Sequence, residues 1–124
     1  MSKKVLIVDD SRIVIVQLQH TIERLGCQTV CAYDANEGIS MAAKDPEIEL
    51  IIADINMPGM NGLDMCAEIR KIPHHKGTRI VVCTTENAPH MKEKAKALGV
   101  NAWLVKPIND TSIEKLVAIT FGKN

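Results

Sequence analysis

Short apolar runs alternate with longer amphipathic stretches five times along this chain. The runs cover residues 5–8 (VLIV), 29–32 (TVCA), 50–53 (LIIA), 80–83 (IVVC) and 102–105 (AWLV). Short β-branched runs without a polar residue at every second place suit strands covered on both faces of a parallel sheet. Strands that alternate with helices predict an α/β domain with right-handed crossovers.

The helix limits are marked in the sequence. The first helix is expected over residues 11–25, with Gly26 just past its end. Its stripe Val14, Leu18, Thr21, Ile22 and Leu25 keeps helical spacing. The run Ile13-Val14-Ile15-Val16 has strand propensity, which tertiary context must override. Asp34 and Glu37 form a D-x-x-E capping signal for a second helix reaching Lys44. The third is expected over residues 62–72, stopped by Pro73. The fourth is expected over residues 89–98, with Pro89 in its first turn and Gly99 after its end. The fifth is expected over residues 111–121. No repeat, low-complexity stretch or linker interrupts the pattern, so residues 1–124 read as one domain.

An apolar share of 46% with 24% charged residues is ordinary for a soluble globular chain, and 124 residues suffice to bury a core. Fifteen basic residues balance fifteen acidic ones, so a nucleic-acid or membrane-surface role has little electrostatic support. With only Tyr33, Trp103 and Phe121 aromatic, the core is expected to be aliphatic and base-stacking platforms are not expected. No apolar run approaches the ~20 residues of a membrane span. The run after Met-Ser-Lys-Lys is too short for a signal-peptide core, so a cytoplasmic location is expected. Cys27, Cys31, Cys66 and Cys83 show no metal-ligand spacing. On one strand Cys27 and Cys31 would lie ~13 Å apart, so buried free thiols are the reading. His20, His74, His75 and His90 form no helical ligand pair and are read as solvated. The Lys92–Lys96 run reads as a charged helix face.

The chemistry gathers where the strands end. Asp9 and Asp10 close the first strand, Asp54 the third and Thr84 the fourth, and Lys106 follows the fifth. In an open parallel sheet these ends share one edge, and ligands bind outside it where the strand order reverses. If the order is 2-1-3-4-5, the flavodoxin-like arrangement, strands one and three are neighbours and the three carboxylates converge. Clustered carboxylates repel unless a cation is present, and Mg²⁺ prefers such oxygen ligands together with phosphate. Lys106 would add a positive charge and Thr84 a hydroxyl for a phosphoryl oxygen, with a carboxylate as nucleophile. Each residue also has a plainer reading: a helix cap for Asp9 or Asp10, a turn at Asp54 beside Asn56, Pro58 and Gly59, a strand residue at Thr84, a solvated lysine at Lys106. Five such residues at one sheet edge favour the joint reading.

The motifs VLIVDDS, IIADINMPGMNG, VVCTT and WLVKPI, in this order and spacing, resemble the receiver domain of two-component response regulators over nearly the whole chain. The length resembles that of the stand-alone chemotaxis-type members. The resemblance implies a doubly wound five-stranded parallel sheet in the order 2-1-3-4-5 with five helices. It implies phosphoacceptance at Asp54, with Mg²⁺ held through Asp9, Asp10, Asp54 and the carbonyl of Asn56. Thr84 matches the switch hydroxyl, and Lys106, before a typically cis Pro107, matches the family lysine. Trp103 falls at the switch aromatic, often tyrosine, and Asn56 and Glu86 fall where the phosphoryl lifetime is tuned. Thr85 departs from the family, which usually has a very small residue there; its γ-methyl and hydroxyl are expected to narrow access to Asp54.

A single-domain regulator is therefore expected, phosphorylated by a partner histidine kinase or other phosphohistidine donor. It would be no turnover enzyme but a phosphoacceptor that assists its own phosphorylation and dephosphorylation. A surface around the fourth helix, fifth strand and fifth helix would then act on a separate target protein. The alternative is a phosphorelay intermediate or phosphate sink with no target. A hydrolase with Asp54 as nucleophile is disfavoured, because the dehalogenase-like pattern wants an acid where Asn56 stands. On the first helix, Ile13 and Val16 point away from the sheet and Ile15 lies on the flank. With Met57, Met60 and Pro107 they are expected to form an apolar rim that docks a histidine-bearing partner helix.

Overall fold

The computed structural model describes residues 3–122. Among the described residues, five strands form one parallel sheet in the order β2-β1-β3-β4-β5. They are β1 (Lys4–Val8), β2 (Gln28–Ala32), β3 (Ile48–Ala53), β4 (Arg79–Thr84) and β5 (Ala102–Val105). The helices are α1 (Arg12–Arg24), α2 (Ala35–Lys44), α3 (Gly62–Arg70), α4 (Pro89–Ala97) and α5 (Asp110–Phe121). The expected order and element count hold.

Side chains alternate across the sheet and each face is buried separately. Val5, Ile7, Leu50, Ile52, Val81 and Cys83 meet α1 and α5 on one side. Leu6, Val8, Ile51, Ala53 and Ile80 meet α2 and α3 on the other. Full burial on both faces applies to the central strands. The edge strands β2 and β5 are mostly half-buried, because each has a neighbour on one side only. Of the cysteines, Cys27, Cys66 and Cys83 are buried, and Cys31, on β2, is half-buried.

Capping follows the sequence closely. Ser11 caps α1, and Gly26 ends it at φ +90°. The Asp34 carboxylate accepts from Glu37 N at 2.8 Å, and the Glu37 carboxylate reaches back to Tyr33 N at 2.6 Å. Asn109 caps α5, which starts at Asp110.

Besides Cys31, expected to be buried and found half-buried, three expectations need correction. The helix α3 ends at Arg70, and a short 3₁₀ turn, Pro73–His75, fills the gap before β4. His75, expected in solvent, is fully buried. Its Nε2 lies 2.7 Å from Ala42 O, a partner distant in sequence, and its Nδ1 lies 2.8 Å from the nearby Thr78 Oγ1, and together these compensate its desolvation. Ile15, placed on the flank of α1, is buried among the core residues, because the sheet-facing side of the helix is wider than the predicted stripe.

Candidate functional site

Strand register sets the site. Val8 pairs with Ala32 on one side and Ala53 on the other, so Asp9 and Asp54 leave adjacent strands at the same level. The ladder continues one step further, with Asp9 N donating to Ala32 O at 3.1 Å and Asp54 N to Val8 O at 3.0 Å. Across the sheet, Thr84 pairs with Val105, and Lys106 N donates to Thr84 O at 2.8 Å. The predicted strand-end residues Asp9, Asp54, Thr84 and Lys106 therefore share the carboxyl edge.

Asp9 and Asp54 are buried, whereas Asp10 is exposed. Each offers a carboxylate oxygen within 4.8 Å of the others. Lys106 Nζ donates to Asp9 Oδ2 at 2.8 Å and to Asp54 Oδ2 at 3.1 Å. The second oxygen of Asp9 accepts from Ser11 N at 2.9 Å, and that of Asp54 accepts from Asn56 N at 3.2 Å. Burial pushes the Asp9 carboxyl above the usual carboxylate range, and the Asp54 charge adds to this against the pull of Lys106 and the Ser11 N–H. Burial works against the Lys106 ammonium too, but its bonds to the two carboxylates outweigh it and hold the lysine above its ordinary value. One ammonium thus bridges two of the three clustered carboxyl groups. The cluster's donors are all hard oxygens, the set that suits Mg²⁺. The nearby Cys83 thiol is pushed up to about 12 by burial and stays protonated.

The hydroxyl of Thr84 is fully buried and accepts from Glu86 N at 3.2 Å. Thr85 is exposed, so its side chain is not part of the core. Asn56 is exposed and the Lys106–Pro107 bond is cis. The half-buried Trp103 donates its indole N–H to Glu86 O at 3.1 Å, a link between β5 and the β4–α4 loop that sequence reasoning missed. It also missed Gly62. A Cβ there would lie 2.0 Å from Asp54 O, so only glycine lets α3 start against the backbone of Asp54. A glycine opening a helix immediately after a turn-rich segment was the available signal.

The predicted apolar rim is only partly assembled. Ile13 and Val16 are 72% and 62% exposed, and Pro107 is exposed. Met60 is half-buried, but Met57 packs into the α2–α3 side of the core and Ile15 into the α1–α5 side. Both leave the rim because the core takes their side chains.

Comparison with known proteins agrees with this geometry. The response regulator receiver domain family matches residues 5–118. Chemotaxis protein CheY1 of Helicobacter pylori is 32% identical over 98% of each chain. The structure of chemotaxis protein CheY4 of Vibrio cholerae superposes with a TM-score of 0.91 at 35% identity, covering 98% of this chain and 100% of that one. The receiver domain of the sensor histidine kinase PA1611 of Pseudomonas aeruginosa, whose structure has a magnesium ion coordinated in its active-site cleft, shares the fold at 19% identity and a TM-score of 0.87. It covers 99% of this chain and 100% of that one.

Proposed function

We propose, for a chain that belongs to the response regulator receiver domain family, that Asp54 is its phosphoacceptor and that a histidine kinase or another phosphohistidine protein is the donor. The observation that carries the reading is the convergence of Asp9, Asp10 and Asp54 within 4.8 Å, with the Lys106 ammonium bonded to two of them. In the reaction an Asp54 carboxylate oxygen attacks phosphorus in line with the leaving imidazole. The P–N bond breaks, its electron pair stays on the histidine nitrogen, and an aspartyl-phosphate forms. Lys106 is already within bonding distance of Asp54, and Thr84 sits at the end of the next strand, where its hydroxyl can turn from Glu86 N to a phosphoryl oxygen. Asp9, Asp10, Asp54 and the Asn56 carbonyl would hold Mg²⁺, which supplies charge neutralisation at the phosphoryl oxygens.

Asp54 is consumed in this step and regenerated by hydrolysis, so the domain is a phosphoacceptor that assists its own chemistry rather than a turnover enzyme. Movement of Thr84 and Lys106 toward the phosphoryl group shifts the population of the α4–β5–α5 surface, which a separate target protein reads. The donor docks at the start of α1, where Ile13 and Val16 stand in solvent close after Asp10 in the chain. Free cysteines accord with work in the reducing cytoplasm.

The decisive experiment is labelling by a small phosphodonor, acetyl phosphate with Mg²⁺. The parent should acquire an acid-labile phosphoryl group and Asp54→Asn should not. Undiminished labelling of Asp54→Asn would put the acceptor elsewhere.

A further inference from the structure

The two ends of α4 are held very differently. At its C-terminal end the chain turns through Gly99 at φ +78°, with Gly99 N donating to Lys96 O and Val100 N to Ala95 O, each at 3.0 Å. The last carbonyls of a helix lack intrahelical partners. Here the turn's own amides serve Lys94, Ala95 and Lys96, and Arg70, the final residue of α3, serves the two carbonyls that follow the helix: Nε donates to Leu98 O and Nη2 to Gly99 O, both at 2.9 Å. The same guanidinium donates through Nη1 to His75 O at 2.9 Å and Thr78 O at 2.6 Å. One planar fork thus joins the end of α3, the approach to β4 and the end of α4. Asn101 adds a reciprocal pair with the start of β4, its N–H to Ile80 O at 2.7 Å and Ile80 N–H to its Oδ1 at 3.0 Å.

The N-terminal end has no such fork: Met91 packs on the Ile55, Leu63, Val82 and Ala95 cluster, Lys92 Nζ lies 5.9 Å from the centre of the Trp103 ring, and the Trp103 indole N–H bonds the preceding loop at Glu86 O. Ala88 provides no side-chain cap, and the first turn carries no acidic residue to favour the helix dipole. Ala95, near the far end, is the buried residue of the helix. The Lys94–Asp64 pair is 3.8 Å apart with both side chains more than half exposed, a weak tether.

We infer that Arg70 makes the C-terminal end of α4 a fixed pivot, so that the helix moves by swinging its N-terminal end, the end that follows Thr84 and Glu86. The pivot is a property of the unphosphorylated fold. Its use in switching rests on the reading of Asp54 as phosphoacceptor.

Amide hydrogen exchange of the full chain tests both parts. In the unmodified parent, Leu98 and Val100 should be protected at least about tenfold more than Met91 and Lys92, although all four amides are hydrogen-bonded. Equal protection at the two ends would overturn the pivot without any variant. In Arg70→Gln, exchange at Leu98 and Val100 should rise about tenfold, the order expected for loss of one charge-assisted bond. Amides of β1 and β3 should change much less, and acetyl phosphate labelling should persist. Unchanged exchange at Leu98 and Val100, or a uniform rise in every element, would count against Arg70 as the pin. On acetyl phosphate treatment of the parent, the change should fall on residues 88–92 and spare 98–100. A change confined to 98–100 would overturn the swing. Failure of Asp54 to label, with the parent's end-to-end asymmetry intact, would remove the phosphoacceptor reading and leave the pivot standing.

Discussion

Replacing Gly62 by alanine tests how the site is supported, and the structure fixes the size of the effect. A Cβ at Gly62 would lie 2.0 Å from Asp54 O, 2.8 Å from Asp54 C and 2.9 Å from Ile55 Cα. Ordinary carbon–oxygen contact begins at about 3.3 Å, so something must move by roughly 1.3 Å. All three neighbours are backbone, and no side chain can rotate away. Either β3 is displaced at Asp54, or α3 retreats and strains the bond from Gly62 N to Ile55 O, now 3.0 Å. Overpacking of this kind costs about 1–3 kcal/mol, and a weakened hydrogen bond about 1 more, so roughly 2–4 kcal/mol is expected. Urea unfolding should show a midpoint lowered by about 1–2 M for a domain of this size. Because the clash falls on the carbonyl of Asp54 itself, labelling of the folded variant by acetyl phosphate should slow about ten- to hundredfold. Gly77→Ala is the control, since a Cβ there meets nothing within 4 Å and the backbone is not in the left-handed region. It should be neutral or stabilising by up to about 1 kcal/mol. Gly62→Ala with the stability and labelling rate of Gly77→Ala would refute the argument that the loop between β3 and α3 positions Asp54 by close backbone contact.

Other substitutions separate other parts of the account. Val16→Asp and Ile13→Asp should slow transfer from the cognate kinase by tenfold or more, the order of about 1.4 kcal/mol for an apolar contact turned into a desolvated charge. Acetyl phosphate labelling should stay near the parent rate, and equal loss with both donors would place the damage in folding or the pocket. Thr85→Ala should speed phosphorylation by small donors, dephosphorylation, or both, because the exposed side chain stands immediately after Thr84; rates equal to the parent would remove it from the access path. Burial holds the His75 imidazole below its ordinary value of 6.5. The unfolded chain therefore takes up a proton first as pH falls below about 6.5, and stability should decline from there toward the folded-state value. Urea midpoints measured from pH 7.5 downward should fall less steeply in His75→Gln than in the parent, and parallel curves would show that His75 does not carry the slope.

How much of this was legible in the sequence follows from the range of each interaction. Strand identity was legible because β1, β3 and β4 are buried on both faces, and burial of that kind leaves an unbroken apolar run. The caps at Ser11 and Asp34 were legible because a cap acts within three residues. The end of α3 was not. Pro73 forbids continuation near residue 72, but the helix already stops where Arg70 turns to carbonyls at residues 75, 78, 98 and 99. His75 was misjudged for the same reason: beside the local Thr78 hydroxyl, its compensating oxygens belong to Ala42 and Asp45, 33 and 30 residues earlier in the chain. Ile15 was misjudged through geometry, since the face of α1 packed on the sheet extends beyond the predicted stripe of Val14, Leu18, Thr21, Ile22 and Leu25 and takes in Ile15 as well.

The strand-end residues at the site escape this limit, and the cause is topological. In a parallel sheet every strand runs the same way, so a polar residue that ends one apolar run must share an edge with polar residues ending the others. Asp9, Asp54, Thr84 and Lys106 lie as far apart in sequence as the carbonyls around Arg70. Yet each is tied to a feature visible locally, the last position of a strand or the first beyond it. The polarity of the sheet supplies the long-range information that the sequence lacks. Only the neighbour relation between β1 and β3 had to be assumed, and the pairing of Val8 with Ala53 satisfies it. A long-range site becomes readable when its members sit at equivalent ends of repeated elements, and stays hidden when, like the Arg70 fork, it joins unlike positions.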